Sequence, residues 1–219
     1  MKTLNQLVVT ENSALPILLD LARSEGANPV EVRPPLKPLA AETLVEMQVS
    51  TASPLGAVAF HTGGLVFHDG FLRVLGSGAE GGLRPIRDWN RAAGVLDDGY
   101  VLVADDILGG FYAMNHGHFS APREGGVFYL APDQLEWSDL GGDYGDFLGW
   151  CFTGDFAKFY GQLGWGHWRE QPMPGWNEMY AFAPLPWTQG GADITALSRE
   201  RVPVSSLWRA KLDFMAAAA

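Results

Sequence analysis

Two adjacent carboxylates, Asp105 and Asp106, lie in the stretch VLVADDILGGFYAMN, residues 101–115. A carboxylate pair can bind a divalent cation or transfer protons. It can also accept backbone N–H bonds in a loop, where a following Gly-Gly pair supplies unusual dihedral angles. We expect this structural role, with both side chains shaping a solvated loop between two strands. Phe111 and Tyr112 of the second strand should then point to opposite faces of the sheet.

Catalysis is the competing interpretation of this pair. Asp105 or Asp106 would act with a second carboxylate, such as Asp133 or Glu136, in a small hydrolase that cleaves a carbohydrate. Two carboxyl groups at a suitable separation are able to hydrolyse glycosides. The sequence contains no Gly-x-Ser-x-Gly elbow, P-loop or dinucleotide fingerprint. With no complete catalytic constellation, we favour a noncatalytic protein and expect no cofactor.

Four of the eight tryptophans lie in LGWGHWREQPMPGWNEMYAFAPLPW, a segment rich in Pro and Gly. They could form a platform for a sugar ring or a partner's side chain, since aromatic residues anchor interfaces well. The alternative is that they pack an irregular loop onto the sheet. These binding candidates are Trp165, Trp168, Trp176 and Trp187.

Histidine and cysteine residues offer weaker candidates. His116 and His118 form an HGH triplet, whose spacing could chelate zinc from an extended strand. The sequence supplies no third ligand nearby, so we expect a solvated loop and leave metal binding open. Cys151 is the single cysteine and lies among large apolar residues, which predicts a buried, inert thiol.

Composition limits the partners that this chain would bind. The 219 residues are 47% apolar and 18% charged, which suits a folded domain. The formal net charge is -10, from 15 basic and 25 acidic residues, and the basic residues are scattered. Phosphate backbones need clustered cations, so we expect no nucleic-acid partner, whereas a basic protein would be attracted. We find no signal-peptide or membrane-spanning pattern and expect a cytoplasmic location, with the oligomeric state open.

Hydrophobic periodicity predicts an α+β fold, in which helices flank an antiparallel sheet. Strands are expected at residues 65–67, 71–75, 100–104, 110–114 and 126–130. Helices are expected at residues 12–26, 40–47, 86–94 and 202–215. One or two helical turns should begin at Leu55, and two more helices should lie between residues 143 and 165.

Proline and glycine predict where regular structure stops. Residues 28–42 should form an extended connector, and residues 168–192, rich in Pro, Gly and Trp, should be irregular. We treat residues 1–219 as one domain with a core at about 40–165. The N-terminal helix 12–26 and the C-terminal segment 166–219 should pack on this core.

Two stretches together resemble the SUKH superfamily of bacterial immunity proteins and eukaryotic regulators of the Smi and Knr type. PLGAVAFHTGGLVFHDGFLRVLG is similar to that superfamily's helix, Gly-Gly turn and strand hairpin. ADDILGGFYAMN, followed by GGVFYLAPDQLEWSDLGGDYGDFLGWCF, is similar to its acidic loop, Gly-aromatic strand, second strand and terminal helix. The chain departs from the pattern at His61-Thr62, where Asn often precedes the glycine, and at Asn115, where Asp is commoner.

The SUKH resemblance covers residues 54–152 and implies an α+β sheet that binds another protein, with no catalytic residues. Nearly the whole chain is also similar to an uncharacterised bacterial family designated as a domain of unknown function. The phrases SPLGAVAF, RVLGSG, DWN, ADDILGGFYAMN, APDQLEW and FLGWCFTGD carry that similarity. Together these observations favour a noncatalytic protein-binding or immunity-like module.

Overall fold

A seven-stranded antiparallel sheet forms the centre of the protein, in a computed structural model that describes residues 1–120, 124–188 and 193–218. Each strand pairs with the strand that follows it in the sequence. The strands are β1 Val30–Arg33, β2 Gly64–Phe67, β3 Leu72–Leu75, β4 Tyr100–Asp106, β5 Phe111–Asn115, β6 Gly126–Leu130 and β7 Ser138–Asp143. The predicted α+β class with an antiparallel sheet is confirmed.

Burial explains the composition of these strands. Nearly every residue of β2 to β6 is buried, so these strands are apolar runs and do not alternate between apolar and polar residues. Sheets that are covered on both faces select this composition. The edge strands β1 and β7 are more exposed and more polar.

Nine helices are present in the described residues and flank the sheet. They are α1 Leu4–Leu7, α2 Leu15–Arg23, α3 Lys37–Met47, α4 Pro54–His61, α5 Ile86–Ala93, α6 Tyr144–Thr153, α7 Phe156–Phe159, α8 Trp165–Arg169 and α9 Val204–Ala218. Helix α6 begins with a capping box, in which Asp143 and Asp146 bond each other's backbone N–H groups.

The two faces of the sheet can be told apart by neighbouring residues of β5. The ring of Tyr112 contacts Phe147 of α6, with centroids 5.0 Å apart. The ring of Phe111 contacts Trp208 of α9, at 4.9 Å. We call these the α6 face and the α9 face. The prediction that Phe111 and Tyr112 point to opposite faces is confirmed.

A second sheet corrects the prediction of an irregular C-terminal segment. Strands β8 Glu178–Ala183 and β9 Ser198–Pro203 form an antiparallel hairpin. The N–H of Tyr180 donates to the carbonyl of Ile107 at 2.8 Å, so the hairpin is attached to the loop between β4 and β5. The β-forming residues Tyr180 and Phe182 outweigh the surrounding proline and glycine signals. Residues 189–192 of the predicted irregular segment lie outside the described residues.

The N-terminal predictions also need correction. The helix expected at residues 12–26 is α2, which is shorter at both ends, and the connector expected at residues 28–42 contains β1. Helix α3 begins at Lys37, three residues before the predicted start. Pro38 does not prevent this because proline is tolerated in the first turn of a helix.

No helix in the described ranges is long and apolar enough to cross a membrane. The organisation of residues 1–219 as one domain stays a prediction.

Candidate functional site

Asp105 and Asp106 are the last two residues of β4, and each has a relative exposure of 0%. They are successive strand residues, so their carboxylates point to opposite faces. Asp105 lies opposite Arg73 and Phe111 and points to the α9 face, whereas Asp106 bonds Tyr129 on the α6 face. The expectation that both carboxylates are solvated is wrong, because β4 continues through them into the interior.

On the α9 face, Asp105 is shared by two arginines. The Nε of Arg73 donates to Asp105 Oδ1 at 2.7 Å, and Arg84 pairs with the other carboxylate oxygen. The Nη1 of Arg73 also donates to the carbonyl of Glu178 at 2.6 Å. Burial lowers the pKa of Arg73 to about 10 and that of Arg84 well below its ordinary value. Two buried cations therefore share one anion.

On the α6 face, Asp106 shapes the loop that joins β4 to β5. Its Oδ1 accepts the N–H groups of Leu108 at 3.0 Å and Gly110 at 2.9 Å. Its Oδ2 accepts the hydroxyls of Tyr129 at 2.8 Å and Tyr160 at 3.3 Å. Burial raises the pKa of Asp106, although these four donors oppose the shift. The predicted role in shaping the loop is confirmed for Asp106.

A hydrolytic role for these carboxylates has no supporting observation. Neither Asp105 nor Asp106 has surface open to a substrate, and the two do not face a common cavity. Asp133 is half-buried and Glu136 is exposed, in the segment between β6 and β7. The hydrolase stays a hypothesis.

The four candidate tryptophans lie in separate environments. Trp168 is fully buried against Tyr180 and Phe182. The other three are half-buried. Trp165 contacts His68 and Phe71, Trp176 lies under Arg33, and Trp187 lies under Lys211 and contacts Phe214. No ring contact joins any two of the four within the described ranges, so the structure does not assemble them into one platform.

The histidine pair is exposed, whereas the cysteine is buried in α6. His116 and His118 are exposed; His118 Nδ1 lies 2.7 Å from the carbonyl of Asp98, and His116 Nδ1 lies 3.3 Å from a carboxylate oxygen of Glu124. No group of three His, Cys, Asp or Glu side chains in the described part of the chain could hold a metal ion. Cys151 is buried, as predicted, and burial raises the pKa of its thiol.

An aromatic pocket lies beside β7, on the α6 face of the sheet. It has a volume of about 190 Å³. Its aromatic walls are Phe147, Trp150 and Phe159, and the centroids of the Trp150 and Phe159 rings are 4.8 Å apart. Val127 and Leu140 add apolar surface. We call this the β7 pocket.

Two carboxylates line the same pocket. Asp143 Oδ1 accepts the N–H groups of Gly145 at 2.7 Å and Asp146 at 3.0 Å, while Asp146 Oδ2 accepts the N–H of Asp143 at 3.0 Å. One oxygen of each carboxylate has no bonded donor within the described ranges. Both residues are exposed. The pocket thus combines aromatic faces with two accessible negative charges.

Strand β7 offers a second feature beside the pocket. It pairs with β6, and in the described part of the chain no strand pairs with its other edge. Backbone groups at the edge of a sheet can bond an added strand. In β7 the N–H groups of Gly141 and Asp143 already donate to the side chains of Asp139 and Asp146. The acidic residues Asp139 and Asp143 belong to this strand.

Sequence comparison assigns the family. The family described as "Protein of unknown function DUF2625" matches residues 4–207. The chain belongs to this family. It is 35% identical over 209 residues to the uncharacterised protein YbfG of Escherichia coli (strain K12), covering 95% of this chain and 94% of that protein. It is 37% identical over 190 residues to an uncharacterised protein of Haemophilus influenzae (strain ATCC 51907 / DSM 11121 / KW20 / Rd), covering 84% of this chain and 82% of that protein.

Family membership confirms the predicted similarity to a bacterial family of unknown function. In this DUF2625 protein, the sequence predicted two helices between residues 143 and 165, but it did not predict the pocket. The available signal was the motif DYGD, in which Asp143 and Asp146 have capping-box spacing. The approach of Phe159 to Trp150 depends on how α7 follows α6, which no local motif specifies.

Proposed function

We propose that this protein is a noncatalytic binding module that captures a basic partner protein at the β7 pocket. The observation that carries the proposal is the combination of three aromatic side chains with Asp143 and Asp146 around one cavity. Aromatic faces attract ammonium and guanidinium groups, most strongly at tryptophan. A Lys or Arg stem would cover the apolar walls while its charged head meets the carboxylates.

The size of the β7 pocket favours a single side chain over a free small molecule. Its volume is about 190 Å³, whereas pockets for drug-sized ligands take about 300–1,000 Å³. One long basic side chain of a larger partner fits this description. Such a side chain can serve as the anchor of a protein interface.

The edge of β7 supplies the rest of the proposed interface. An extended segment of the partner would lie along residues 138–140 of β7 and form backbone hydrogen bonds there, while one basic side chain enters the pocket beside it. In strand addition, backbone bonds provide affinity and side-chain pockets provide specificity. Leu140 and Asp143 belong to β7 and also line the pocket, so the two contacts are continuous.

Charge and resemblance support the same class of partner. A formal net charge of -10 accelerates encounters with basic proteins. The resemblance of residues 54–152 to the SUKH superfamily implies protein binding, and β7 and most of α6 lie in that range. An immunity-like module that neutralises a basic toxin is the specific form that we favour.

Two double variants that lose the same amount of charge test the proposal. The double variant Asp143→Asn, Asp146→Asn keeps the capping oxygens, since Asn is a good helix cap, but removes both charges. The control is Asp97→Asn, Asp98→Asn, which removes the same charge from an exposed turn before β4. A blocked hexapeptide that alternates Lys and Thr is titrated by NMR, beside a peptide that alternates Glu and Thr.

We expect the Lys peptide to shift the amide resonances of β7 and α6 and the Glu peptide to have no effect. The affinity for the Lys peptide should fall at least ten-fold, or by about 1.4 kcal/mol, in the Asp143→Asn, Asp146→Asn variant. It should stay within two-fold of the wild type in the Asp97→Asn, Asp98→Asn control. Equal affinity in the pocket variant, or shifts elsewhere on the protein, would refute the proposed site.

A further inference from the structure

The capping box of α6 holds two acceptor oxygens in place at the wall of the β7 pocket. Asp143 Oδ1 accepts the N–H groups of Gly145 and Asp146, and Asp146 Oδ2 accepts the N–H of Asp143. The other oxygens, Asp143 Oδ2 and Asp146 Oδ1, have no donor within the described ranges. These acceptors belong to two separate residues, so a cation with donors on more than one side can satisfy both.

The charge of the two carboxylates is not neutralised by a nearby side chain. No basic residue lines the β7 pocket, and neither Asp143 nor Asp146 forms an ion pair within the described part of the chain. Both residues lie at the start of α6, whose dipole contributes about half a positive charge against their two negative charges. A net negative charge remains, which favours a positively charged group in the pocket.

The aromatic side chains of the pocket pack on one another and form a wall. The ring centroids of Trp150 and Phe159 are 4.8 Å apart, and those of Trp150 and Phe147 are 6.2 Å apart with an interplanar angle of 24°. A ligand group between two rings needs a separation of about 7 Å, twice the contact distance of about 3.5 Å. The rings therefore cover one side of a ligand and cannot enclose it. Phe156 stacks on Trp150 at 4.8 Å and 11°, which fixes the plane of the indole.

We propose that the β7 pocket selects an arginine side chain of the partner over a lysine or a methylated lysine. This inference rests on the function proposed above and specifies the side chain that enters the pocket. The guanidinium lies flat against the ring of Trp150, and its N–H groups donate to Asp143 Oδ2 and Asp146 Oδ1. Arginine suits both contacts because its guanidinium is planar, stacks on aromatic faces and carries five donors in a fork.

Each competing cation fits only part of this arrangement. A lysine ammonium is strongly hydrated, has no flat face and directs its three donors from a single nitrogen. A trimethyllysine head group is attracted to aromatic faces but has no N–H donor, so both carboxylate oxygens would lose water without gaining a hydrogen bond. It is usually bound in a cage of rings, and the contact between Trp150 and Phe159 leaves no such cage.

The pairing of β7 determines the face from which the arginine enters. Ser138 lies opposite Tyr129, whose hydroxyl bonds Asp106 on the α6 face. Leu140 is two residues further along β7 and lies on the same face, where it lines the pocket. The arginine of an added strand must also point to the α6 face, while its immediate neighbours point to the α9 face.

Four blocked hexapeptides test the selectivity by NMR titration of the full chain. Each peptide alternates threonine with arginine, lysine, trimethyllysine or citrulline, so that all its test side chains share one face of an added strand. Citrulline keeps the shape of arginine without its charge. We expect the arginine peptide to bind about five-fold more tightly than the lysine peptide and about ten-fold more tightly than the other two. The ring current of Trp150 should shift the side-chain protons of the bound arginine upfield.

Two variants separate the stacking face from the second acceptor. Trp150→Leu removes the flat face and should bring the arginine and lysine affinities to within about two-fold of each other. Asp146→Asn keeps an acceptor for the Asp143 N–H but replaces the unbonded oxygen with an NH₂ group, and it should reduce the arginine preference in the same way. Trp176→Leu is the control, because Trp176 is half-buried outside the pocket, and it should keep the wild-type preference.

The outcomes distinguish this inference from the proposed function. The arginine selectivity is overturned if the lysine, trimethyllysine or citrulline peptide binds as tightly as the arginine peptide. The proposed function survives that result as long as the lysine peptide shifts the resonances of β7 and α6. If neither basic peptide shifts them, the proposed function fails and this inference fails with it. If Trp150→Leu does not fold, Asp146→Asn decides, because an unchanged arginine preference in that variant overturns the inference and a lost preference supports it.

Discussion

The carboxylates of Asp105 and Asp106 belong to consecutive residues, yet they lie on opposite faces of the sheet. Asp105 pairs with Arg73 and Arg84 on the α9 face. Asp106 accepts tyrosine hydroxyls and backbone N–H groups on the α6 face. The two positions should therefore respond differently to substitution and to pH.

Asp105→Asn should be strongly destabilising. The substitution leaves two buried guanidinium groups without their anion, and breaking a buried ion pair in this way costs about 3–5 kcal/mol. Urea unfolding at pH 7 measures the loss in the free energy of unfolding. Asp139→Asn is the control, because Asp139 is exposed and its bond from the Gly141 N–H can be kept by Asn. That control should change stability by about 0.5 kcal/mol or less. An equal effect of both substitutions would contradict the ion-pair assignment.

Asp106 should make stability depend on pH in the opposite sense to an ordinary paired carboxylate. Burial raises its pKa in the folded protein above the unfolded value, so the folded state binds the proton more tightly. The stability of the wild type relative to Asp106→Asn should increase as pH falls through the folded pKa. Urea unfolding of both proteins at several pH values from neutral to about pH 4 tests this. A relative stability that falls on acidification would show that the four hydrogen bonds outweigh burial.

Lys211 should give a pH dependence in the alkaline range. Its Nζ donates to the carbonyls of Ala131 at 2.6 Å and Gln134 at 2.9 Å, and burial lowers its pKa from 10.5 to about 7. Between about pH 7 and 10.5 the unfolded chain binds the proton more tightly, so wild-type stability should rise with pH. The slope should approach about 1.4 kcal/mol per pH unit. Lys211→Met should remove this slope in urea unfolding curves, and an unchanged slope would exclude Lys211 as its source.

Two glycine substitutions should have opposite effects on stability. A Cβ at Gly110 would overlap the carboxylate of Asp106 and the ring of Tyr129, so Gly110→Ala should be destabilising by more than about 1 kcal/mol. Gly149 lies within α6 with open space at its Cβ position, so Gly149→Ala should stabilise the protein by about 0.5–1 kcal/mol. Thermal unfolding of both variants tests the pair. If Gly110→Ala matches Gly149→Ala, the packing described around Asp106 is wrong.

The sequence alone determined the class of the fold and most of its elements. Apolar runs predicted five of the seven strands of the large sheet, and helical spacing predicted most of the helices. Family membership followed from short phrases of the same sequence. These features are local, because strand and helix periodicity act over a few residues. The edge strands β1 and β7 were missed, since partly exposed strands lack continuous apolar runs.

Only the tertiary structure decided what the chemically suggestive residues do. The chain shows Asp105 and Asp106 as a pair, but extension of β4 by two residues buries them on opposite faces. The β7 pocket joins residues from several elements, as when Phe159 of α7 lies beside Trp150 of α6. Such contacts arise from packing between distant segments, whereas local sequence preferences act only within each segment.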